Sequence, residues 1–293
     1  MSACARWERR SSGSMGRKRD ESQSSQIRET SIPGHIPRFE ILDWRERYGV
    51  VAGITGRGSE PGRGFDLGLW SNTPVAEVMS RWRAFRRQLS EFTAVALGNQ
   101  VHGVEVMSLD ACRGWVQVEG IDGWITIAPG ILLTVTIADC VPVYLVAPGR
   151  GVALLHAGWR GTAGGILGRG LEQLRGRTGR STSDIVMHCG VGICGSCYEV
   201  GSEVMEGCGM PTDGPGPWHI DLRERLSDQA RRLGLRKISS SDWCSAHDRG
   251  SFYSHRASQG TDGRMVAYIG MLAGQQGGGA ARVSARVSQV GVL

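Results

Sequence analysis

Two imidazoles and a thiol stand where strands should end. An apolar run from Ile131 to Ala138 stops at Asp139 and Cys140, and a second run, Val152 to Leu155, stops at His156. Upstream, Asn99-Gln100-Val101-His102-Gly103 offers another imidazole beside a glycine where the backbone can turn. Short apolar runs bounded by turn residues are strands, so Cys140 and His156 emerge from sheet edges. If the three side chains converge, His102, Cys140 and His156 make a zinc site with its fourth position open for water or substrate. The gaps of 38 and then 16 residues fit no zinc-finger spacing, so the expected site is catalytic rather than structural. Thiolate with imidazole also suits copper. Asp139, adjacent to Cys140, is a candidate acceptor that would orient one imidazole, or a plain turn carboxylate. Taken singly, each ligand has a structural reading as a buried thiol, a turn histidine or a hydrogen-bonded core imidazole.

Arg160 follows His156 by four residues, just before a Gly-rich helix start, a placement that suits an anion. Arg57 in its Gly-rich loop and Arg256 in Ser254-His255-Arg256 are further anion candidates, with a solvated role as the alternative. Cys189, Cys194, Cys197 and Cys208 form a second cysteine-rich region. Cys194-Gly-Ser-Cys197 has redox-motif spacing without a thioredoxin-like strand before it, and a closed site of four thiols is the other chemical reading. Packing and loop roles are expected for these cysteines.

The elements that must position these residues follow from periodicity. Val50–Ile54 is a strand that enters the Gly-rich loop to Gly64. Val75, Val78, Met79, Trp82, Phe85 and Leu89 share one face of a helix, capped by Asn72 or Thr73 before Pro74. Strands are expected at 94–97, 103–107, 124–127, 131–137, 143–146 and 152–155, with Pro148-Gly149-Arg150-Gly151 as the clearest turn. A helix weakened by Gly164, Gly165 and Gly170 runs from Thr162 through Leu174. A strand at 185–187, a helix at 222–233 capped by Asp221 and a closing strand at 265–272 complete the pattern. Strands grouped before helices predict an α+β fold, a single layered domain with mixed, largely antiparallel sheets flanked by helices.

The formal charge of +6 misleads. Residues 1–28 hold seven Arg/Lys against three acids and residues 274–293 hold two Arg and no acid, so the body of the chain is balanced. A basic groove would place the excess inside the fold, so the charge is poor evidence for a nucleic-acid partner, and none is expected. Residues 1–31 read as a disordered basic tail without a signal peptide, 32–273 as the domain and 274–293 as a flexible tail. No run approaches 18 apolar residues, which argues against a membrane span. Eight cysteines without an export signal favour reduced thiols and a cytoplasmic home.

Several motifs in one order carry a resemblance: Asn-Gln-Val-His-Gly at 99–103, Ala-Asp-Cys-Val-Pro-Val at 138–143, His-Ala-Gly-Trp-Arg-Gly at 156–161 and Cys-Tyr-Glu-Val-Gly at 197–201. Lesser marks are Thr55-Gly56-Arg57, Phe65-Asp66-Leu67-Gly68, Trp243-Cys244 and Phe252–Arg256. The chain, from about Gly53 to Met271, resembles the bacterial laccase-domain family, first called polyphenol oxidase and now described as zinc-dependent purine nucleoside phosphorylases. The resemblance implies that His102, Cys140 and His156 bind zinc. It also implies phosphorolysis of adenosine, inosine, guanosine and methylthioadenosine, with adenosine deamination alongside. In that reading Arg160, with Arg57 or Arg256, neutralises phosphate, Gln100 orients the nucleoside, Asp139 assists, and Asp66 belongs with the substrate contacts. Asp66 stands where relatives often have Asn, and Ala257 where a second Arg is usual. The partners are then purine nucleosides and phosphate, in a monomer or small homo-oligomer. The rivals are copper-dependent phenol oxidation, a Cys-His hydrolase with Cys140 as nucleophile, and a partner-binding module using the Arg-rich tail.

Overall fold

The computed structural model describes residues 25–58 and 64–274. One sheet is built from β2 (Thr30–Ile32), β3 (Arg38–Glu40), β4 (Val50–Thr55), β5 (Ala94–Asn99), β7 (Gly114–Glu119), β9 (Ile131–Ile137) and β16 (Met265–Met271), in the spatial order β2-β3-β4-β16-β9-β5-β7. The other holds β1 (Ser25–Ile27), β6 (Val106–Ser108), β8 (Gly123–Thr126), β10 (Val141–Ala147), β11 (Gly151–Ala157), β12 (Val186–Cys189) and β15 (Lys237–Ser241), in the order β1-β15-β12-β10-β11-β8-β6. A small ladder pairs β13 (Glu199–Val200) with β14 (Trp218–His219). Antiparallel pairs dominate the middle of both sheets, while β5 runs parallel to β7 and β9, and β15 parallel to β1 and β12. The expected mixed α+β architecture is therefore present.

Among the described residues, six α-helices accompany them: α1 (Asp43–Tyr48), α2 (Val75–Gln88), α3 (Trp159–Ala163), α4 (Ile166–Thr178), α5 (Ser202–Gly207) and α6 (Leu222–Arg232). Strand alternation sorts the core into layers, because successive side chains point to opposite faces. In β10, Val141, Val143 and Leu145 pack under α4 and α6, whereas Tyr144 and Val146 face the other sheet. Val135 and Ile137 of β9 meet them from that sheet, while Leu132 turns towards Val78, Trp82 and Phe85 of α2. The result is helix, sheet, sheet, helix. Each fully buried large apolar side chain in these layers contributes about 1.5–3 kcal/mol.

Details differ from the sequence reading. The expected helix from 162 is two helices, broken where Gly165 takes a left-handed φ of 82°. Neither Asn72 nor Thr73 caps α2; Pro74 occupies the cap, and the Thr73 hydroxyl donates to Asp66 instead. Asp221 does cap α6, accepting from the Arg223 amide. The closing strand β16 lies in the sheet's interior, between β4 and β9. Strand β7 was not expected; it is a half-exposed edge strand. The body also begins earlier than residue 32. β1 pairs with β15, and the buried Glu29 carboxylate bonds to His188 at 3.1 Å and to Ser241 at 2.6 Å. The rest of the expected N-terminal tail, residues 1–24, and residues 275–293 lie outside the described residues, as do residues 59–63 of the Gly-rich loop.

Candidate active site

The two sheets part company around the β9–β10 link. β9 belongs to one sheet and β10 to the other, so residues 138–140 cross between them. β5 ends beside this crossing and delivers the His102 loop, and β11 ends there with His156. In β11, Leu155 faces the helices and Leu154 the opposite sheet, so alternation turns His156 to the seam. The ligand atoms of His102, Cys140 and His156 all lie within 4.8 Å of one another. The imidazoles of His102 and His156 meet edge to face, with centroids 4.9 Å apart. A Cβ on Gly158 would come within 3.0 Å of the Cys140 sulfur and 3.1 Å of the His102 ring, so only glycine leaves the trio room.

The acid that orients this trio is Asp122, not Asp139. Fully buried, Asp122 accepts from three successive amides, those of Val101 (3.1 Å), His102 (3.0 Å) and Gly103 (2.8 Å). It also bonds to His156 Nδ1 at 2.9 Å. That bond places the proton on Nδ1 and leaves the Nε2 lone pair for a ligand. The loop holds His102 in the left-handed region, at φ 59°. Burial opposes the charge on Asp122, yet the bonds from His156, Gly103 and Val101 hold its carboxyl below the usual carboxylate range. Asp139, at φ 82°, turns away from both imidazoles and accepts from the Ser245 hydroxyl and the Arg256 amide, each at 2.6 Å. Burial likewise opposes ionisation of Cys140, but the charge on His156 and a hydrogen bond from His102 bring its pKa down to about 6. His156 is pushed up to about 9: burial alone would lower it, and the Cys140 thiolate and Asp122 more than compensate.

The trio sits against a cavity of about 450 Å³, a volume suited to a nucleoside-sized molecule. Its walls include Trp70, Trp159, Tyr198, His255, Arg160, Arg256 and Arg264. Arg160 lies over the Trp159 ring at 4.5 Å and, among the described residues, has no carboxylate partner. Arg256 lies over Tyr198 at 5.1 Å and donates to the Glu199 carbonyl. Arg264, His255 and Trp70, which is 53% exposed, were not singled out as site residues from the sequence.

Three expected contacts have other work. Arg57 is outside the cavity lining, paired with both oxygens of Asp262 (2.9 and 3.2 Å) and stacked over Tyr253. Asp66 is buried behind the wall, where it accepts from the amides of Gly68 and Arg264 and the hydroxyls of Ser71 and Thr73. Gln100 touches the cavity, but its amide is spent on Thr136: Nε2 donates to the Thr136 carbonyl, and Oε1 accepts from that residue's amide and hydroxyl. Gln100 thus fastens the His102 loop to the end of β9.

Residues 48–272 match the model of the family described as multi-copper polyphenol oxidoreductase laccase. The chain belongs to this family. Among laccase-family relatives, purine nucleoside phosphorylase YlmD of Geobacillus stearothermophilus is 36% identical over 251 residues, covering 76% of this chain and 90% of the relative. Adenosine deaminase RL5, from an unknown prokaryotic organism, is 32% identical over 244 residues, covering 74% of this chain and 93% of its own. The crystal structure of YlmD from G. stearothermophilus superposes with a TM-score of 0.73 at 31% identity, over 83% of this chain and 99% of that one.

Proposed function

We propose that this chain is a zinc-dependent purine nucleoside phosphorylase that also deaminates adenosine. The observation that carries the reading is the placing of the His102–Cys140–His156 trio at the wall of a cavity that Arg160, Arg256 and Arg264 line together with aromatic rings. The names of YlmD and RL5 support the two activities. The donor set fits zinc: two imidazole nitrogens, one thiolate already favoured near neutral pH, and room for a fourth ligand. Bound there, the metal would supply positive charge to phosphate or lower the pKa of water.

The chain's own groups do the rest. The guanidinium of Arg160, aided by Arg256 and Arg264, holds phosphate beside the trio, in line with the anomeric carbon. Trp70 and Tyr198 offer faces for the purine, whose stacking on an aromatic side chain is worth about 1–3 kcal/mol. His255, on the cavity wall, would hand a proton to the departing base. Adenosine deamination uses the same cavity with water in place of phosphate. Free thiols at all seven described cysteines agree with a reducing, cytoplasmic setting. Among the described residues no helix is long and apolar enough to cross a membrane.

One observation favours a second reading. Cys140, His156 and Asp122 are linked in the manner of a thiol nucleophile, its base and an orienting acid. The presence of His102 on the same sulfur favours the metal. Copper-dependent oxidation at several coppers has little to draw on, since only two of the chain's seven histidines are in the trio. The test is release of base from adenosine by zinc-loaded protein with and without phosphate. Phosphate-dependent adenine and ribose 1-phosphate are expected, and Cys140→Ala abolishes them. A trapped acyl-enzyme on Cys140 with no phosphorolysis of any purine nucleoside would overturn the reading.

A further inference from the structure

A second cluster of donors lies apart from the trio. Cys194, Cys197, Cys244 and His247 bring their ligand atoms within 4.8 Å of one another. They come from two short turns of like design, Cys194-Gly-Ser-Cys197 and Cys244-Ser-Ala-His247, each offering donors at i and i+3. Paired short spacings of this kind are the pattern of structural zinc sites. The sequence groups Cys194 and Cys197 with Cys189 and Cys208, but Cys189 and Cys208 are buried in the core beneath α5 and α6.

The backbone has already shaped the site. A parallel bridge joins Gly192 to Cys244, and the Ser245 amide donates to the Gly192 carbonyl at 3.0 Å, locking the two turns together. The first turn closes on itself, with the Cys197 and Tyr198 amides donating to the Cys194 carbonyl at 3.1 and 3.0 Å. The Cys194 amide donates to the Cys244 sulfur at 3.3 Å. His247 presents Nδ1 to the Cys194 sulfur at 3.5 Å and Nε2 to the Cys197 sulfur at 3.3 Å. One ion takes only one ring nitrogen, so one of these contacts becomes a ligand edge and the other is given up; bond lengths of about 2.3 Å to sulfur and about 2.0 Å to nitrogen set that edge at about 3.5 Å on a tetrahedron.

We propose that Cys194, Cys197, Cys244 and His247 bind a second zinc ion in a closed, structural site. Four protein ligands leave no open corner, so this metal does no chemistry on substrate. It staples the turn before Tyr198 to the turn carrying Ser245. Tyr198 lines the cavity, and Ser245 holds Asp139, which in turn receives the Arg256 amide. The second zinc therefore positions one wall of the active site. The proposal does not rest on the phosphorylase reading.

Elemental analysis of the full-length protein, purified with zinc and dialysed, tests it. Two zinc ions per chain are expected, falling to one in Cys244→Ser and to one in the double variant His102→Ala/Cys140→Ala. Cobalt substitution separates the sites: three thiolates give an intense sulfur-to-cobalt charge-transfer band that survives in the double variant. Should Cys244→Ser not fold, His247→Ala at the exposed corner replaces it, and a chelator then strips one zinc well before the other. With the second ion removed, the trio's zinc remains, Tm falls, and KM for nucleoside rises more than kcat falls. Zinc content that Cys244→Ser leaves unchanged overturns the proposal. So does a cobalt spectrum indifferent to these changes, or a Cys194–Cys197 disulfide, seen by mass, in freshly purified protein.

Discussion

Three amides in a row, of Val101, His102 and Gly103, converge on one carboxylate, and that carboxylate also fixes the His156 tautomer. Asp122→Asn keeps the shape but loses the charge and lets His156 flip its proton. The expected result is a 10–100-fold weaker trio zinc, about the range for losing such a partner, measured by chelator competition. In the metal-free chain the thiolate of Cys140 contributes stability that is complete above its ordinary 9.0 and lost as pH falls through about 6. The contribution of His156 is complete below 6.5 and lost as pH rises through about 9. The charged pair therefore exists between about 6 and 9. Site-resolved alkylation of metal-free protein should show Cys140 half-maximally reactive near pH 6, with zinc protecting it; half-reactivity near 9 would contradict the pairing. The trio itself was legible in the sequence because apolar runs announce strand ends. Asp122 was not, since its partners lie 20 and 34 residues away. Asp139 misled for a local reason: its positive φ rotates the side chain away from its neighbour Cys140's partners.

At the scale of elements, the glycines explain what propensity alone left odd. Gly170 lies in the middle of α4, where glycine ordinarily weakens a helix. A Cβ there would meet Leu155 at 2.8 Å, so the glycine is what lets α4 lie flat on β11, the strand that carries His156. Gly170→Ala should therefore destabilise despite alanine's better helix propensity, by about 1–3 kcal/mol as for other overpacked cores. Urea denaturation measures it, and a gain in stability would show that the close approach is slack. Helices α2 and α6 and the hairpin of β10 and β11 were readable because their apolar periods are strong. Strand β7 escaped because an edge strand of middling burial writes only a weak pattern. The second donor cluster escaped for a different reason. Its halves stand 50 residues apart and are joined only in the folded chain, by the Gly192–Cys244 bridge and the bonds beside it.

For the whole molecule, the four layers close around the seam between the sheets, and the segment around Glu29 helps to seal one of them. Glu29 reaches His188 and Ser241 from a segment that charge and composition had marked as tail. Glu29→Ala strands the buried His188 nitrogen and should cost about 1–3 kcal/mol, read by thermal or urea unfolding. Removal of residues 1–24 should leave turnover unchanged, whereas removal through Ile32 should not be tolerated; the reverse order would move the domain boundary back to where composition put it. In the proposed function one metal ion, held by two imidazoles and a thiolate, faces a bound purine nucleoside. Crystals soaked with adenosine and measured on either side of the zinc absorption edge test it most directly. An anomalous peak among His102, Cys140 and His156 is expected, with the purine in the adjoining cavity. A nucleoside bound there with no anomalous scatterer at the trio would contradict it.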